Sequence, residues 1–217
     1  LDEKKIYPIE NYGSAMAPFY STLAIWVGAV VMAAMLKVTV ADSTKKILFH
    51  PKEYQLYIGR ILLLIIIGFM QSALICLGDL FFLGIQCKHP VMFVLTGMFT
   101  SFVYVNLIYA LTVSFGDIGK AIAVVLMVMQ VAGSGGTFPI QCAPKFFQVV
   151  YPLLPFTHSM NAMRECIAGF YGTTYAAEIG KLAIYLVPSL LLGLLLRKPI
   201  IKMNDAFMEK LESTHLI

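Results

Sequence analysis

The sequence predicts an all-α, polytopic membrane protein with five transmembrane helices and a re-entrant helical hairpin before the last of them. Three observations predict it. Hydrophobic residues make up 59% of the 217-residue chain and charged ones only 13%, with a mean hydropathy of +0.80, whereas globular domains carry about 25% charged residues. Apolar runs long enough to cross roughly 30 Å of hydrocarbon recur between charges. Finally, the stretch GSGGTFPIQCAPKFFQVVYPLLPFTHSMNAMRECIAG, residues 133–169, is too apolar for an ordinary loop and too broken for a span.

The first span is expected at about 17–36, ended by Lys37, after a turn-rich approach in which Ser14 is a candidate N-cap and Pro18 sits in the first turn. The second, at about 61–83, lies between Arg60 and Gly84. Pro90 opens the third, at about 91–115, which closes near Gly116-Asp117. The fourth, at about 118–132, is short and runs into Gly133. The fifth, at about 176–196, is stopped by Arg197-Lys198-Pro199.

Sidedness follows from the bias of Lys and Arg toward cytoplasmic loops. With five spans, one side receives Lys37, Lys45, Lys46, Lys52, Arg60, Lys120, Arg197, Lys198, Lys202 and Lys210, ten of the sixteen basic residues. That side is assigned to the cytoplasm, with the 37–60 loop and the tail 197–217. Residues 1–16 form an outer approach segment, 17–217 the membrane domain, and 133–169 lies on the outer side. The N-terminus is polar and acidic, with no basic region leading into a short apolar core. The chain therefore reads as the C-terminal part of a longer protein, brought across the membrane by an upstream helix.

The composition of 133–169 specifies a fold-back. Gly133 ends the fourth span, Gly135-Gly136 permits a sharp turn, and Pro139 and Pro144 keep the helix from continuing. KFFQVVY (Lys145 to Tyr151) is a short amphipathic piece, Pro152 and Pro155 break it, and Thr157 to Phe170 forms a second. Neither is long enough to span. Irregular backbone at membrane depth survives only where protein or a wet cavity satisfies it, so the stretch is read as a gate hairpin. Arg164 and Glu165 on its second piece are interfacial charges or, alternatively, a gate latch.

Other candidate residues interrupt apolar helices. Asp79 is the one carboxylate well within an apolar run; it is either a proton or cation site or an interfacial group kept wet. Asn106 and Gln130 are read as interhelical hydrogen-bonding glue, with a pore lining as the sharper alternative. In the 37–60 loop, Lys45, Lys46 and Phe49 suit a membrane surface or a docking partner.

Several functions are excluded. The phosphate loop GxxxxGK[ST] is absent, as are HExxH and GxSxG, so no catalytic residue, enzyme activity or cofactor is expected. His50, His89, His158 and His215 stand far apart, and no metal site is expected. Cys76, Cys87, Cys142 and Cys166 lack metal or redox spacing; they are read as packing residues, with a disulfide among the outer three left open. The formal net charge is only +4 and the basic residues form no stripe, so nucleic acid is not a partner; the lipid bilayer is.

The approach and first helix, NYGSAMAPFYSTLAIWVGA, together with GGTFPIQCAPKFFQVVYPLLPFTHSMNAMRE, resemble the C-terminal membrane domain of the YhgE/Pip family, the phage infection proteins of Gram-positive bacteria. That domain is similar to the permeases of type-2 ABC exporters, and the resemblance covers essentially the whole chain. It implies a multi-pass cell-membrane protein, N-terminus outside and C-terminus cytoplasmic, preceded by one helix and a long extracellular region. It also implies a homodimeric permease whose 37–60 loop contacts a cytoplasmic ATPase, exporting an amphipathic or envelope-related substrate. The alternative it implies is a membrane anchor for a surface receptor or scaffold, with a phage or envelope protein as partner and no transport.

Overall fold

The computed structural model describes residues 9, 11–36 and 53–196, with the side chains of 53, 195 and 196 excepted. Among them all regular structure is helical: α1 (Tyr12–Met35), α2 (Glu53–Phe81), α3 (Pro90–Phe115), α4 (Asp117–Gly133), α5 (Lys145–Val150), α6 (Pro155–Ala168), α7 (Thr174–Ile184) and α8 (Leu186–Leu190), with a π turn at Leu191–Leu196. Among the described residues, four helical segments are long and apolar enough to cross a membrane: Tyr12–Met35, Tyr54–Phe81, Pro90–Phe115 and Thr174–Leu194. At 17 residues, α4 rises about 25 Å, short of a full hydrocarbon core. Lys45, Lys46, Phe49 and the tail 197–217 lie outside the described residues.

Helix α1 starts five residues before the expected boundary. Its N-cap is Asn11, whose Oδ1 accepts the Ser14 amide at 2.8 Å. Ser14, expected to cap, is buried inside the first turn instead, and its Oγ accepts the Gln86 amide at 2.9 Å. Pro18 consequently falls in the helix interior. Helix α2 likewise begins eight residues early, at Glu53, because Tyr57 finds a buried seat beside the Tyr109 ring, 4.9 Å between centroids.

α3 is the axis of the bundle, packed on α1, α2, α4, α6 and α8. Its Phe93 and Tyr104 have no exposed surface. Trp26 of α1 is equally buried, meets Tyr104 edge to face at 4.8 Å, and donates from Nε1 to the Ala123 carbonyl of α4 at 3.3 Å. Large exposed side chains such as Met70, Leu74, Val125 and Val128 form the outer surface of α2 and α4, as expected where lipid replaces water. The last spanning segment is jointed: α7 stops at Ile184 and α8 starts at Leu186, where Pro188 has no amide proton to offer Ile184.

Candidate functional site

The start of α1, the end of α2, the start of α3, the end of α4 and the start of α7 meet at one end of the bundle. Ser14 contacts Gln86 there, Phe19 contacts Phe156, and His89 stacks on Phe170. Residues 133–169 fold over this end as a hairpin. Each proline that breaks the sequence begins or flanks a helical turn. Pro139 and Pro144 occupy the N-cap positions of the Ile140–Cys142 turn and of α5, Pro152 lies within the Tyr151–Leu153 turn, and Pro155 is the first residue of α6. Proline serves there because those first amides have no intrahelical acceptor.

Two glycines set the fold-back. Gly135 adopts φ +64°, a backbone that side chains with Cβ disfavour. A Cβ on Gly136 would collide with the Phe19 ring of α1, so this glycine permits the hairpin to approach α1. At Gly133 the neighbours are Phe147 and Leu154, which close the two short limbs onto the end of α4. A cleft of about 260 Å³ opens beside Phe138, Pro139, Ile140 and Cys142; it is smaller than typical ligand pockets of about 300–1,000 Å³.

α6 is the buried limb. Phe156, Met160 and Met163 have no exposure. Phe19 meets Phe156 at 5.6 Å, Tyr104 donates to Ser159 at 2.8 Å, and Thr22 donates to the Met163 sulfur at 3.5 Å. Gln130 of α4 accepts the Phe156 amide at 3.1 Å, a bond from α4 to α6. Gln130 Nε2, Ser134 Oγ and Thr157 Oγ1 are buried with no hydrogen-bond partner among the described residues, which leaves the seam between α4 and α6 polar. At the far end of α6 the Lys88 and His89 amides donate to the Ile167 and Cys166 carbonyls at 3.1 and 3.0 Å. These bonds satisfy carbonyls that a helix end leaves open.

The remaining predicted residues divide. Arg164 and Glu165 make separate contacts. Arg164 donates to Asn161 Oδ1 at 3.2 Å, while the buried Glu165 accepts the Tyr171 amide at 2.6 Å and shapes the turn into α7. Asn106 donates to the Phe102 carbonyl of its own helix at 2.7 Å, where an interhelical bond was expected. Asp79 is 9% exposed and accepts from Ser21 of α1 at 2.5 Å, so it ties α2 to α1 and is not a wet surface carboxylate. All four cysteines are free thiols. Cys87 Sγ donates to the Cys166 carbonyl at 3.5 Å, and burial pushes its thiol up, opposed by a hydrogen bond at the His89 backbone.

Sequence reasoning missed one cluster. His158 of α6 is buried with Nδ1 2.6 Å from Glu178 Oε2 and Nε2 3.1 Å from the Pro152 carbonyl oxygen. Glu178 of α7 accepts Lys181 Nζ on its other oxygen at 2.8 Å. The Glu178/Lys181 spacing of three was legible as a helical pair. The histidine was not, because it approaches from another helix, twenty residues upstream.

Bundle, hairpin and apolar surface together define, among the described residues, a helical multi-pass membrane protein. A family model described as ABC-2 family transporter protein matches residues 3–196, and the chain belongs to that family. It is similar to a protein of Bacillus subtilis (strain 168) named "Uncharacterized protein YhgE", with 27% identity over 164 residues, 75% of this chain and 20% of that protein. The chain thus spans about a fifth of that relative's length. No solved structure matches.

Proposed function

We propose that this domain is one half of a dimeric type-2 ABC permease that moves an amphipathic or envelope-related substrate across the cell membrane. In this reading α4 is a fifth, short span, the N-terminus faces outward and the C-terminus the cytoplasm. Residues 133–169 are the outer gate of a pathway between two copies. The observation that carries the reading is the hairpin itself: two helices of 6 and 14 residues, neither able to cross, folded over one end of a bundle that belongs to a transporter family. Polar atoms left without protein partners between α4 and α6 fit a wall that meets water when the gate moves. The small cleft near Pro139 is not the pathway; the route lies between protomers.

Lys45, Lys46 and Phe49 are assigned to docking a cytoplasmic ATPase. The test is ATP hydrolysis co-purifying with the full-length protein from its native membranes. Replacing the three residues together should abolish it, and no hydrolysis with the native loop overturns the assignment. A second reading is favoured by one observation, that four-fifths of the matched relative lies outside the alignment. Here the domain anchors a large surface receptor or scaffold for a phage or an envelope protein. Gly135→Leu separates the two: a permease loses transport, whereas an anchor keeps surface binding.

A further inference from the structure

We propose that His158, Glu178 and Lys181 form a proton-operated latch that holds the hairpin helix α6 against α7 when protonated and frees it as pH rises. The inference rests on the gate reading for its purpose, though not for its chemistry. Both ring nitrogens of His158 face acceptors: a carboxylate oxygen at 2.6 Å and a backbone carbonyl at 3.1 Å. A neutral imidazole has one N–H and one lone pair, so it satisfies only one of these contacts and turns a lone pair toward the other oxygen. The imidazolium satisfies both. The alternative, a protonated Glu178 donating to a neutral ring, is opposed by Lys181, whose ammonium lies 2.8 Å from the other carboxylate oxygen.

Among the described residues, no charge other than Glu178 is in contact with the ring. Tyr185, beyond the end of α7, lies with its ring centroid 6.2 Å from that of His158. α3 presents Tyr104 to Ser159, α1 presents Thr22 to Met163, and the Tyr151 hydroxyl accepts from Asn161. On α6 itself, Arg164 and Glu165 are engaged with Asn161 and the Tyr171 amide. His158 and Glu178 are nearly buried, with side chains 5% and 9% exposed, so loss of the proton leaves a buried carboxylate with Lys181 alone to neutralise it. The closed state carries the proton; the latch is therefore complete at low pH and is lost as pH rises through its titration.

The test is hydrogen exchange on the full-length protein in lipid nanodiscs, corrected for the intrinsic pH dependence of amide exchange, with α3 as internal reference. Protection of residues 155–163 is expected to fall about tenfold between about pH 6 and pH 8.5 while α3 is unchanged. Glu178→Gln should flatten the profile. Lys181→Met, at a side chain 52% exposed, makes His158 the carboxylate's only cation and should move the midpoint up. A flat native profile, the native profile persisting in Glu178→Gln, or an unmoved midpoint in Lys181→Met overturns the latch. Should Glu178→Gln fail to fold, Lys181→Met decides alone. A flat profile with intact ATP-driven transport removes the latch and leaves the permease; a titrating profile without transport does the reverse.

Discussion

Toward α1 and α3, α6 presents Phe156, Met160 and Met163, none with any exposure, and two hydroxyl contacts between neutral groups. Toward α7 it presents His158 to a carboxylate and, through it, to an ammonium. The first face is held by close packing, which is all that drives helix association where lipid is as apolar as the side chains. The second adds to the packing of Ile167 and Leu182 a charged contact, which depends on a proton. One short helix is thereby joined to α1 and α3 in the same way at every pH, and to α7 by a contact that is partly conditional. A hairpin built in this way can part from α7 while remaining docked on the bundle.

The sharpest way to break this contrast is to truncate the dry face. Phe156→Ala should cost about 3 kcal/mol, equally at pH 6 and 8.5, by reversible unfolding in mixed detergent. A pH-dependent loss would merge the two faces. Gly136→Leu should cost about 1–3 kcal/mol by overpacking against Phe19, and adding Phe19→Ala should recover part of it; strict additivity would show that the two positions do not meet. Tyr104→Phe deletes one donor to Ser159, which retains its bond to the Pro155 carbonyl at 3.0 Å, so the loss should be about 1 kcal/mol and independent of pH. The smallest effect is on thiol chemistry and needs no substitution. Maleimide should modify the exposed Cys142 first and Cys87, whose thiol is pushed up by burial, more slowly, while the buried Cys76 and Cys166 stay unmodified in the folded protein. Mass spectrometry of tryptic peptides reads the order.

Much of this was legible in the chain because proline and glycine act locally. Pro144 and Pro155 end the preceding structure and suit a first helical turn, so α5 and α6 were found within two residues of their ends. The start of α1 was misplaced since Asn11, inside a turn-rich run, caps a helix that the hydrophobic pattern alone enters later. The contacts of Asp79 with Ser21 and of His158 with Glu178 were illegible for another reason. They depend on how one helix is rotated against another, and that rotation is fixed by packing around α3 rather than by any spacing along the chain. Asn106 shows the converse: its amide found a carbonyl four residues back, and no neighbouring helix was needed.

The bonds from the Lys88 and His89 amides to the carbonyls of Ile167 and Cys166 join the α2–α3 connection to the hairpin through main-chain atoms alone. The bonds themselves do not depend on which side chains stand at the four positions, although the buried Cys166 and Ile167 are also held by packing. Proline at position 88 or 89 is the one replacement that removes a donor outright. That attachment is thus inherited with the backbone, whereas the ionic contact to α7 can be gained or lost by single substitutions, so related domains are able to share the hairpin's hinge and differ in what triggers it.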